Sequence, residues 1–159
     1  HVFNKDLDDK TWQKGSWEKS KKKEKKRNSI LDGVPKSLPA LIKAQRIQEK
    51  AASVGFDWNS IDQVFDKVHE EINELKIAIK KGDNKNTFEE IGDTLFSIVN
   101  VARFLDYDSE SALRGTIRKF ENRFNQIEDY LKSKGKTFNE SSLLELDEIW
   151  NKVKKGESS

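Results

Sequence analysis

Cysteine is absent from this 159-residue chain, which excludes disulfide scaffolds, thiol nucleophiles and thiolate zinc sites. Glycine (8) and proline (2) are scarce. Few turn-formers among many helix-favouring residues favour a helical domain over a sandwich or barrel. There are two histidines, and His1 is the first residue, so only His69 lies inside the chain. Metal or catalytic sites built on several histidines are excluded, and His69 is expected on a surface or flank. No apolar run approaches the ~18 residues of a membrane-spanning helix. A reducing, cytoplasmic compartment is the expectation.

Charge is what the chain has in quantity, at 36% of residues against 34% hydrophobic. It is unevenly spread. Residues 1–30 hold ten Lys/Arg against five Asp/Glu, a local +5, so the overall +2 leaves −3 for residues 31–159. The excess lies in Lys19–Arg27, which reads as a solvated linker. An anionic or nucleic-acid partner, with Trp12 and Trp17 as stacking groups, is the sharper alternative.

From Ser37 onward the apolar spacing predicts five helices. The first runs from about Leu38 to Val54, with Ser37 as cap and Pro39 in the first turn. The second runs from Ile61 to Lys81, with a Ser60/Gln63 capping box and Gly82 as stop. Its core stripe is Ile61, Val64, Phe65, Val68, Ile72, Leu75 and Ile79. The third runs from Thr87 to Leu105 on a stripe of Phe88, Ile91, Leu95, Ile98, Val99 and Ala102. Phe96, Val101 and Phe104 fall off that stripe, so this helix is buried on more than one side. The fourth runs from Ser109 to Ser133, facing inward through Leu113, Ile117, Phe120, Phe124, Ile127 and Leu131. The fifth runs from Ser142 to Lys154. Short connections predict antiparallel packing of neighbours.

The acids carry the chemistry. On the second helix Glu71 falls about 70° from the centre of the stripe, Glu74 further round, and Glu70 points outward. On the third, Glu90 and Asp93 stand three apart, with Ser97 and Asn100 continuing their line. Two such pairs converging would repel one another, and a hard divalent cation relieves that repulsion. Oxygen-only ligands suit Mg²⁺ or Mn²⁺ rather than zinc. The plainer reading is that such pairs lie on solvated helix faces. Lys119 and Arg123, four apart on the fourth helix, are either salt-bridge partners of the acids or neutralisers of a polyphosphate. No glycine-rich phosphate loop is present.

Glu70-Glu71-Ile72-Asn73-Glu74 followed by Glu90-Ile91-Gly92-Asp93 resembles the E-E-x-x-E…E-x-x-D signature of MazG-type nucleoside triphosphate pyrophosphohydrolases. Ser37–Leu41, Val54–Trp58, Gly92–Phe96, Val99–Arg103, Lys119–Phe124 and Glu148–Trp150 are similar to the same family, so the match spans about residues 30–155. The resemblance implies an all-α bundle completed by dimerisation. It implies Mg²⁺-dependent hydrolysis of NTPs or dNTPs to monophosphate and pyrophosphate, by water attack at the α-phosphorus. Glu71, Glu74, Glu90 and Asp93 would be the metal ligands and catalytic residues. Lys119, Arg123 and Trp150 would contact the nucleotide, with Lys67 a weaker candidate, although an aromatic at core spacing such as Trp150 is usually packing. The expected organisation is a basic linker at 1–30, a helical domain at 31–155 and a tail at 156–159. The opening residues are similar to the end of a preceding module in tandem bacterial members, so a missing N-terminal half is expected. Two alternatives remain. One is a relative specific for dUTP or phosphoribosyl-ATP. The other is a non-catalytic dimerisation module with a basic nucleic-acid-binding arm.

Overall fold

A computed structural model describes residues 28–157, so the basic run at Lys19–Arg27 and the tryptophans Trp12 and Trp17 lie outside the described residues. Those described residues are all-α, with five α-helices, two short 3₁₀ turns and no strand. The helices are α1 (Ala40–Ser53), α2 (Ile61–Lys81), α3 (Asn84–Phe104), α4 (Ser109–Ser133) and α5 (Leu143–Glu157). They fall into two compact units, the first ending at Glu110 and the second beginning at Ser111.

The first unit is organised by a helical hairpin. Gly82 takes the left-handed conformation (φ 69°) that stops α2. Asp83 follows at once and caps α3, its carboxylate accepting from the Asn86 N–H at 3.0 Å. A two-residue turn leaves α2 and α3 no option but to run back along each other. Val64, Val68, Ala78 and Val99 are buried where the two helices meet, and α1 packs against α3.

Several boundaries differ from expectation. Pro39, not Ser37, stands at the N-cap of α1 and offers no side-chain cap. Asp83 starts α3 three residues before the expected Thr87. Only half of the expected capping box forms. Ser60 Oγ accepts from the Gln63 N–H at 3.4 Å, while Gln63 Oε1 accepts from the Asn59 N–H rather than that of Ser60. α4 has the expected bounds, and α5 runs on to Glu157.

The larger difference is in what is buried. The expected inward stripe of α3 is mostly open: Phe88 is 80% exposed, Leu95 57%, Ile98 50% and Ile91 47%. Val99 of that stripe is buried as expected, and Ser97 from the polar line is buried too. In the hairpin, then, the partly polar face of α3 meets α2. On α2, Phe65 and Ile79 are likewise exposed. In the second unit Ile127 and Leu131 are buried as expected, whereas Leu113, Ile117 and Phe120 are exposed.

Candidate active site

The hairpin turn sets the levels of the acids. Glu74 precedes Gly82 by eight residues and Glu90 follows Asp83 by seven; for Glu71 and Asp93 the separations are eleven and ten. At an equal rise per residue, Glu74 comes level with Glu90, and Glu71 with Asp93. One carboxylate oxygen from each of Glu71, Glu90 and Asp93 lies within 4.8 Å of the others. Glu74 stands close enough for its charge to act on Glu90.

The cluster is graded in exposure, with Asp93 open to solvent and Glu90 half-buried, and its acceptors are not all satisfied. Glu71 is buried, and one oxygen of Glu71 and one of Glu90 are enclosed without any hydrogen-bond partner. Lys67, one turn before Glu71, donates to its other oxygen at 2.8 Å and stands 3.5 Å from Glu70. The Glu71 carboxylate raises the Lys67 pKa. Burial, a hydrogen bond to Glu71 and the charges of Glu74, Glu71 and Asp93 push Glu90 up to about 7. Enclosed, mutually repelling oxygens with unfilled acceptor capacity are what a hard cation satisfies, so the residues present fit a divalent metal. His69 is exposed and takes no part.

Lys67, Glu71 and Asp93 are among the residues that line a cavity of about 680 Å³. Its remaining lining is largely apolar and aromatic, including Ile47, Ala51, Phe56, Trp58 and Phe96. Phe56 and Trp58 belong to the loop between α1 and α2. That loop is tied to α3 by Arg103, whose guanidinium donates to both Asp57 oxygens at 3.0 and 2.6 Å. Arg103 holds the Asp57 carboxyl below the usual range.

Two buried glutamines on α1 were not singled out from sequence. Gln45 Oε1 accepts from the N–H and Oγ of Ser109, at 2.8 and 2.7 Å, and its Nε2 donates to the Tyr107 carbonyl. Gln48 Nε2 donates to the Phe96 carbonyl at 2.9 Å. The signal was their register: Leu41, Gln45 and Gln48 share one face of α1 at helical spacing.

Lys119, Arg123 and Trp150 all lie in the second unit. The single Nε–H of Arg123 is shared between the two Glu157 carboxylate oxygens, each at 3.0 Å, and its guanidinium sits 5.4 Å from the Trp150 ring centroid. The Trp150 ring also packs on Phe120, at 5.6 Å. Lys119 is exposed, and its charge reaches Glu157.

An all-α unit with a carboxylate cluster opening on an aromatic cavity has the character of a metal-dependent phosphohydrolase. Residues 59–127 of the chain match the MazG nucleotide pyrophosphohydrolase domain. It is 42% identical over its whole length to a nucleoside triphosphate pyrophosphohydrolase/pyrophosphatase MazG of Thermotoga maritima, covering 61% of that protein. It is 41% identical, over 89% of its length, to a nucleoside triphosphate pyrophosphohydrolase of Escherichia coli K12, covering 56% of it. A shorter stretch, 42% of the chain, is 39% identical to a phosphoribosyl-ATP pyrophosphatase of Methanoregula boonei. The chain thus spans about 60% of the length of the two nucleoside triphosphate pyrophosphohydrolases.

Proposed function

We propose that this chain hydrolyses nucleoside triphosphates, NTP or dNTP, to the monophosphate and pyrophosphate. The observation that carries the reading is the cluster of Glu71, Glu90 and Asp93, with one enclosed, unpartnered oxygen on each of Glu71 and Glu90, beside a nucleotide-sized cavity. Glu71, Glu74, Glu90 and Asp93 are the proposed ligands of Mg²⁺, with Mn²⁺ as substitute. The ion supplies Lewis-acid charge on the phosphate oxygens when bound.

Water attack at the α-phosphorus forms one P–O bond and breaks the bridge to the β-phosphate. Pyrophosphate leaves, and the water's proton passes to a carboxylate of the cluster. Lys67 brings positive charge to the rim of the cluster. Nucleotide-binding roles for Lys119, Arg123 and Trp150 rest on the family resemblance and on the packing of Arg123 against Trp150.

The proposed setting is cytoplasmic, and no helix among the described residues is long and apolar enough to cross a membrane. The proposed assembly is a homodimer, supported by the exposed Phe88, Ile91, Leu95 and Ile98 of α3. Residues 31–155 are the proposed catalytic domain, with 1–30 as a basic linker to a further N-terminal module; α5 carries the fold on through Glu157, two residues beyond the expected boundary. The match to a phosphoribosyl-ATP pyrophosphatase favours, as second reading, a base-specific relative with the same acids.

Pyrophosphate release from an NTP and dNTP panel, with Mg²⁺ and with EDTA, tests the proposal beside a Glu71→Ala/Asp93→Ala variant. Metal-dependent release lost in the variant is the expected result. A folded chain that releases no pyrophosphate from any nucleotide overturns it in favour of a binding module.

A further inference from the structure

The aromatic part of the cavity contains two side-chain amides whose orientations are decided. Asn100 lines the cavity, and its oxygen is taken twice by Arg103, from Nε at 2.9 Å and from a terminal nitrogen at 2.8 Å. A guanidinium has no acceptor, so only the oxygen of Asn100 can face it. Arg103 is held in turn by both oxygens of Asp57. The Nδ2 amino group of Asn100 is therefore presented as a donor, and none of the hydrogen bonds among the described residues uses it. Gln48 is fixed in the opposite sense: its Nε2 is spent on the Phe96 carbonyl, and its oxygen is a buried acceptor without a partner.

The charges in this part of the lining cancel, because Arg103 and Asp57 neutralise one another. Nothing there is free to hold a phosphate. What remains is Phe56, Trp58 and Phe96, with the Asn100 amide donor, whose direction is set, and the buried Gln48 acceptor. Flat aromatic walls and one fixed donor suit a neutral heteroaromatic ring with an acceptor on its edge.

We propose that this part of the cavity is the nucleobase subsite and that Asn100 Nδ2 is its specificity-determining donor. Arg103 is the positioning residue that prevents the Asn100 amide from turning over. The occupant is the base of a nucleotide, accepting through a ring nitrogen or carbonyl oxygen. This inference rests on the proposed nucleotide hydrolysis, and it assigns a residue that reads the base rather than the phosphates.

Asn100→Asp is the discriminating change, since it keeps an oxygen for Arg103 and replaces the donor with an acceptor. Two readouts are made on the full chain. The first is saturation-transfer NMR without metal, using cytidine, uridine, adenosine and guanosine, with ribose 5-phosphate as baseless control. The second is kcat/KM for pyrophosphate release across the NTP panel. The wild type is expected to contact the base protons. Asn100→Asp is expected to weaken the favoured nucleoside by about tenfold and reorder the kcat/KM ranking, since a donor–acceptor pair becomes two acceptors. Arg103→Lys should change the ranking in the same direction, whereas a merely structural Arg103 would lower stability and leave the ranking alone.

The inference is overturned if no nucleoside contacts the wild type through its base. It is also overturned if Asn100→Asp lowers every base and ribose 5-phosphate alike. Pyrophosphate release with an unchanged base ranking removes this inference and leaves the hydrolysis standing. Asn100-dependent nucleoside contact without any pyrophosphate release removes the hydrolysis and leaves the subsite.

Discussion

Lys67 holds one oxygen of Glu71 at 2.8 Å while the other oxygen of the same carboxylate is enclosed without a partner. The two residues are one turn apart on α2, so the pairing follows from helix geometry alone. The unpartnered oxygen does not. It arises because α3 closes over the carboxylate and brings Glu90 and Asp93 beside it.

Removing the Glu71 charge should abolish metal binding more than it disturbs the fold. Glu71→Gln is expected to lower pyrophosphate release at least about a hundredfold. The metal-free thermal midpoint should be unchanged or raised, because a like charge leaves the cluster. Calorimetric Mg²⁺ titration and thermal unfolding check both halves. A large fall in midpoint with metal binding intact would contradict the expectation.

The raised Glu90 pKa has a definite sign. With a folded value of about 7, above the ordinary 4.5, the folded state holds a proton that the unfolded state has released between those pH values. Metal-free stability should therefore fall as pH rises from about 5 to 7, and level off above. Mg²⁺ should reverse the loss most strongly at pH 8, where the carboxylates are ionised. Thermal midpoints at pH 5, 6, 7 and 8, with and without Mg²⁺, give the comparison.

The Asp57–Arg103 pair pins the loop that carries Phe56 and Trp58. Its folded Asp57 pKa is depressed, so its contribution is present above the usual carboxylate pKa of 3.8 and is lost as pH falls through the lower folded value. Asp57→Asn should lower the thermal midpoint by about 5 °C at neutral pH. The difference from wild type should shrink as pH falls below the usual carboxylate value of 3.8, and a midpoint gap that persists in strong acid would count against the pair.

Glu157 occupies the Arg123 guanidinium through two contacts of 3.0 Å. If Arg123 serves the nucleotide, that carboxylate competes with phosphate oxygens. Glu157→Gln is then expected to lower KM for the triphosphate by about threefold, with kcat little changed. Steady-state kinetics at low and high salt test it, since screening should narrow the difference.

Helix type and number were legible because five segments repeat apolar residues at helical spacing and are punctuated by Gly82, Gly135 and serine caps. Boundaries slipped where the capping residue was not the first plausible one: Asp83 pre-empted Thr87 because its carboxylate reaches the Asn86 N–H. The acid set was readable from the two i,i+3 pairs. Glu74 was placed with the others, yet the group of oxygens within 4.8 Å comprises Glu71, Glu90 and Asp93. The polar line of α3 was expected to converge with the acids of α2, and it does; that most of its apolar stripe stays exposed was not readable, since that helix is apolar most of the way round.

The sequence by itself determined an all-α chain with its acids at fixed spacings on two successive helices, because helical periodicity is local and needs no partner. Their levels were set by the two-residue turn at Gly82-Asp83, which is shorter than the connection to Thr87 expected from sequence. Only tertiary structure decided that most of the apolar stripe of α3 stays open, exposing Phe88 and Leu95, while Ser97 is buried. It alone enclosed oxygens of Glu71 and Glu90 and raised the Glu90 pKa. It also locked Asn100 through Arg103 to Asp57, a residue 46 positions away from that arginine. Burial and long-range hydrogen bonding depend on what packs against a face, and that is a property of the folded chain rather than of any one helix.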